Sequence, residues 1–134
     1  MASDISSLLR AQVAQRANHR CEYCLIHEDD AAFPHQVDHI ISRKHGGISR
    51  IENLAYACIL CNRYKGSDVA SINALTGEAI RLYDPRKASW AEHFCLTSSV
   101  VEPLTQIGRV TIQTLRLNAA ERVAERALLG WANT

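Results

Sequence analysis

Four cysteines fall into two C-x-x-C pairs, Cys21 with Cys24 and Cys58 with Cys61. Between the pairs lies an Asp38-His39 dipeptide, followed by Asn53, and Asn62 stands directly after the last cysteine. Two such pairs supply the four thiolates of a tetrahedral zinc site, and four sulfur ligands leave no coordination position for water. A zinc ion held in this way staples a fold and does no chemistry, and in a small chain its binding energy is folding energy. A redox dithiol is the alternative, but it leaves the second pair unexplained, and neither pair sits in a thioredoxin-like βαβ pattern. Cys95 lies far from both pairs and reads as a small core residue.

The 33 residues between Cys24 and Cys58 are more than a simple zinc ribbon spans, so something is inserted between the knuckles. Hydrolysis of a phosphodiester needs a base to activate water and a cation to stabilise charge on the phosphate and the leaving oxygen. An imidazole, with an ordinary pKa near neutrality, suits the first role, and a carboxylate suits the second. On a strand, Asp38 and His39 point to opposite faces, which frees Asp38 to bind a cation; a bend at the strand end lets both face one cleft. Singly, each residue has a plainer reading. Asp38 can be a cap, His39 a core histidine, Asn53 a turn residue and Asn62 a cap beside the knuckle. Arg43, Lys44, His45, Arg63 and Lys65 can be solvated surface or phosphate contacts, with Lys65 one turn after Asn62 on the same helix.

Taken in order, Val37-Asp38-His39-Ile40-Ile41, Gly46-Gly47, Asn53-Leu54 and Cys61-Asn62-Arg63-Tyr64-Lys65-Gly66 resemble the landmarks of the HNH endonuclease family, over about residues 19–67. The resemblance implies an α+β fold with a small ββα-metal core stapled by a four-cysteine structural zinc, an N-terminal helix, and a mixed C-terminal extension ending in helices. It also implies metal-dependent hydrolysis of DNA, with His39 as general base and Asn53 orienting it. Asp38 and Asn62 would hold a divalent cation that stabilises the departing 3′-oxygen. Asn62 stands where the family name has a final histidine, and its amide oxygen is a hard ligand, which favours Mg²⁺ or Mn²⁺. DNA, or another nucleic acid, is the implied partner, gripped by Lys65, Arg63, Arg43, Lys44 and His45. A zinc-stabilised nucleic-acid-binding module without cleavage is the alternative, although a pure binder has no use for Asp38 beside His39.

The elements that must position these residues follow from periodicity and punctuation. Ser3 and Asp4 offer caps for an amphipathic helix over residues 4–18, with Ile5, Leu8, Leu9, Val13 and Ala17 as its apolar stripe. Residues 36–41 read as a strand, 44–50 as a glycine-containing loop, 54–57 as a second strand and 59–65 as a helix. Further on, alternation over 79–83 predicts a strand stopped by Asp84 and Pro85. A helix starts at Thr105 with Ile107, Val110 and Leu115 inward, weakened by Gly108. A last helix is capped by Asn118, with Glu121 three residues later and Ala120, Val123, Ala124, Ala127, Leu128 and Trp131 on one face.

The chain has 134 residues, 47% apolar and 22% charged, enough for a single domain with residues 19–67 as its nuclease core and 68–134 as an extension packed on it. Its apolar runs are too short for a membrane span, and the N-terminus lacks the apolar region of a secretory signal, so a reducing cytoplasm is expected. The net charge is only +1, but the middle of the chain is basic: Arg43, Lys44, Arg50, Arg63 and Lys65 stand against Asp38 and Glu52. Monomer and homodimer both remain open.

Overall fold

The computed structural model describes residues 5–131. The fold is α+β, with five helices and three two-stranded antiparallel ribbons among the described residues. It divides into two compact units, one formed by the described residues up to Asp68 together with Asp84–Lys87, the other by Val69–Tyr83 and the described residues from Ala88 onward. None of the described helices is long and apolar enough to cross a membrane.

In the first unit, α1 (Ser7–Arg16) is capped by Ser6, whose hydroxyl accepts the Leu9 amide at 3.1 Å. The expected caps, Ser3 and Asp4, lie outside the described residues. Val13 and Ala14 of α1 bury against Leu54 and Tyr56, with Leu9, Ala17, Val37 and Ile51 packed around them. Leu8, expected in that stripe, is exposed. β1 (Gln36–His39) pairs with β2 (Leu54–Ala57) in the register His39 with Leu54, and α2 (Ile59–Lys65) follows at once. This is the expected strand, loop, strand, helix order. All four residues of β2 are buried, so it forms the floor on which β1 and α1 rest. Arg86 returns to this unit to pair with Glu22 and to donate to the Leu54 carbonyl.

The second unit holds two hairpins, β3 (Ala70–Ile72) with β4 (Ala79–Arg81) and β5 (Phe94–Thr97) with β6 (Val100–Pro103), and three helices, α3 (Trp90–His93), α4 (Gln106–Leu115) and α5 (Ala120–Leu128). The strand expected at 79–83 ends at Arg81. Gly108 is required by α4, not a weakness in it: a Cβ there would lie 2.1 Å from the His93 carbonyl oxygen. Thr105, expected as the first helical residue, is instead the N-cap of α4.

The last helix differs most from its sequence reading. Asn118 does not cap it; its amide clamps both the N–H and the C=O of Val101, at 2.9 and 2.7 Å. Arg122 and Arg126, not the alanine stripe, form its buried face, and Leu128 is 89% exposed. The two guanidiniums donate to the carbonyls of Leu115, Leu117 and Ser99 at 2.7–2.8 Å, which satisfies the open end of α4 and explains how charged groups remain buried.

Candidate active site and zinc cluster

The two knuckles close on one another. Residues 20–27 form a tight hairpin in which the Cys21 amide donates to the Ile26 carbonyl at 2.8 Å. Cys58 is the N-cap of α2, its sulfur accepting the Cys61 amide at 3.4 Å, and Cys21 Sγ likewise accepts the Tyr23 and Cys24 amides at 3.4 Å. All four sulfurs are buried and lie within 4.8 Å of one another. Cys24 and Cys58 approach to 3.6 Å, far beyond a disulfide and close to the ~3.8 Å edge of a tetrahedron with 2.3 Å zinc-sulfur bonds. Hydrogen bonds among the sulfurs pull the Cys58 thiol well below its ordinary pKa, and burial pushes those of Cys21 and Cys61 up. Cys95 is half-buried and apart from the cluster.

Tyr23 lies inside the first knuckle, between its cysteines, and its hydroxyl donates to Asp38 Oδ2 at 2.9 Å. The same oxygen receives Lys65 Nζ at 3.2 Å, and Lys65 also donates to the carbonyls of His39 and Ile40 at 3.2 Å. Asp38 is 4% and Lys65 2% exposed, so this is a buried ion pair. Burial pushes the Asp38 carboxyl up, and the Lys65 ammonium is the chief force opposing it. Lys65 therefore does not serve as the phosphate contact expected of it: its three protons go to Asp38 and to the end of β1. Asp38 Oδ1 has only the longer 3.4 Å contact with Lys65.

His39 Nε2 lies 2.8 Å from Ser49 Oγ, while its Nδ1 has no protein partner among the described residues. Among the described residues, no side-chain hydrogen bond joins the expected orienting residue, Asn53, to His39. The Asn53 amide instead pins the loop that follows β1, accepting the Ile41 N–H and donating to the Ile41 and Ile48 carbonyls at 2.9–3.0 Å. That loop carries Ser49, the residue whose hydroxyl lies 2.8 Å from His39 Nε2. Only glycine fits at position 47, because a Cβ would stand 1.6 Å from the Ile41 carbonyl oxygen and 2.9 Å from the Asn53 amide nitrogen. Ser49 went unnoticed in the sequence because a serine ten residues from its partner has no local signature.

Asp38, His39 and Asn62 line one hollow of about 370 Å³, together with Arg43, Lys44 and the Gly66-Ser67 turn. The Asn62 amide nitrogen donates to Gln36 Oε1, which leaves its oxygen as the remaining acceptor. Arg43, Lys44 and His45 form an exposed turn beside the hollow, and Arg63 is exposed on α2; His45 and Arg63 are not among the lining residues.

Residues 21–68 match the HNH endonuclease family. The chain carries an HNH domain. Among curated proteins and solved structures, none matches the chain. The match spans both knuckles, the ribbon β1–β2 and α2, and it assigns the HNH segment to nuclease or nucleic-acid-binding chemistry.

Proposed function

We propose that this HNH domain is a metal-dependent endonuclease that hydrolyses DNA phosphodiester bonds at the hollow between the end of β1 and α2. One observation carries the reading: an imidazole held through Nε2, with Nδ1 uncommitted, shares that hollow with a carboxylate and an amide.

A neutral imidazole has one donor and one acceptor nitrogen, so in the tautomer whose Nε2–H donates to Ser49 Oγ, 2.8 Å away, Nδ1 is the basic atom. Nδ1 takes a proton from water as the water oxygen attacks phosphorus, and the 3′-oxygen departs. Asp38 and Asn62 are oxygen donors suited to a hard cation, and Mg²⁺ or Mn²⁺ bound there supplies charge stabilisation at the phosphate and the leaving oxygen. Because Lys65 already balances the charge of Asp38, these two donors alone would hold such a cation only weakly. Arg43 and Lys44, which line the hollow, are the cations available to steady the phosphate.

The zinc-loaded protein should cleave supercoiled plasmid only after Mg²⁺ or Mn²⁺ is added, leaving 5′-phosphate and 3′-hydroxyl ends that a DNA ligase reseals. End-labelling and ligation of the nicked product measure this. Ends bearing 3′-phosphate contradict the 3′-oxygen as leaving group, and binding without cleavage under every metal condition assigns the domain to the non-catalytic class.

A further inference from the structure

A second depression, of about 780 Å³, adjoins the first and shares Val37, His39 and Arg43 with it. Its lining includes the apolar Phe33, Val37 and Ile59 and the cationic Arg10 and Arg43, beside the polar His35 and Gln36. Of the two phenylalanines, Phe94 is buried at 1% exposure, whereas Phe33 is 60% exposed on the loop before β1. An aromatic ring left in water costs hydration and gains no packing, so a partner surface is its natural complement. Pro34 restricts the Phe33 backbone to extended conformations, which limits the wandering of the ring.

Paired duplex DNA presents phosphates and groove edges to a protein, and cations and hydrogen-bond donors suffice to hold it. An unpaired nucleotide also presents the face of its base, and a ring beside guanidiniums is the arrangement that binds it, by stacking the base and pairing the backbone. The size of the depression lies within the range of small-molecule sites. We propose that this groove seats an unpaired base of the cleaved strand, stacked on Phe33 next to the scissile phosphate, so that single-stranded or locally unpaired DNA is the preferred substrate. The inference rests on His39 as the reacting centre, since that residue joins the groove to the hollow.

Fluorescence anisotropy with labelled oligothymidylate and with a duplex of the same length, on zinc-loaded protein without Mg²⁺, gives the ratio of the two affinities. The wild type should favour the single strand. Phe33→Ala should lower that ratio about 5- to 160-fold, the loss of one base-aromatic stack, and Phe33→Trp should retain it. Phe33 is exposed, so each variant is expected to fold, and its melting curve confirms that before binding is measured. A ratio unmoved by Phe33→Ala, or lowered equally by Phe33→Trp, overturns the groove assignment while the endonuclease reading stands. Failure of the wild type to bind either DNA overturns both.

Discussion

Stripping zinc from the Cys21, Cys24, Cys58, Cys61 cluster is expected to unfold the HNH unit and abolish cleavage together. Structural zinc contributes about 10–16 kcal/mol in zinc-finger peptides at neutral pH, comparable to or above the ~5–15 kcal/mol that holds a whole domain folded. The cluster ties the hairpin of residues 20–27 to the start of α2, and without the ion that tie rests on weak sulfur hydrogen bonds such as the 3.6 Å Cys24–Cys58 approach. The consequence reaches the active site through Tyr23, which stands between two zinc ligands and holds Asp38 by its hydroxyl. On this reading zinc would govern activity without entering the reaction. Circular dichroism through a chelator titration, with released metal counted by a colorimetric dye, measures the effect. Loss of metal with an unchanged melting curve contradicts the stapling role.

Lys65→Ala should be the most damaging single substitution outside the cysteines. It leaves the Asp38 carboxylate buried without its cation, and breaking a buried pair from one side costs about 3–5 kcal/mol. It also frees the His39 and Ile40 carbonyls that Lys65 now satisfies. The sign of the pH dependence follows from Asp38, whose carboxyl is already pushed up by burial and rises further once Lys65 is gone. A native-state pKa above that of the unfolded chain means stability is greatest below the ordinary carboxylate range and falls as pH rises through the raised native value. The variant should thus recover stability relative to wild type on acidification. Asp38→Asn combined with Lys65→Met should fold better than Lys65→Ala alone and remain inactive. Urea unfolding at neutral and acidic pH checks both claims, and a loss under about 1 kcal/mol at neutral pH would mean the pair is solvated after all.

The chemistry of the zinc cluster was legible in the sequence because C-x-x-C spacing is a local constraint that only a few geometries satisfy. The ribbon β1–β2 and α2 were legible too, being short segments bounded by glycines and knuckles. Partnerships across the fold were not. Lys65 carries the same sequence signal as a solvated helix lysine, and only the packing of α2 against β1 turns it inward onto Asp38. Asn53 lies near the active site in space, yet its amide is spent on Ile41 and Ile48. In α5, amphipathicity assigns arginines to water, but Arg122 and Arg126 lie where carbonyls at the end of α4 lack partners. The β5–β6 hairpin escaped notice because its turn uses Ser98 at φ 57° in place of the usual glycine or asparagine.

In the proposed reaction His39 is the base that activates water. Single-turnover cleavage of one DNA substrate by zinc-loaded wild type and His39→Ala, both shown to be folded and to bind DNA, tests it most directly. A positioned general base contributes about 10²–10⁴-fold, so the variant should lose that much in rate while keeping its affinity for DNA. Cleavage by His39→Ala within about threefold of wild type, far short of that contribution, contradicts the assignment and moves the base elsewhere.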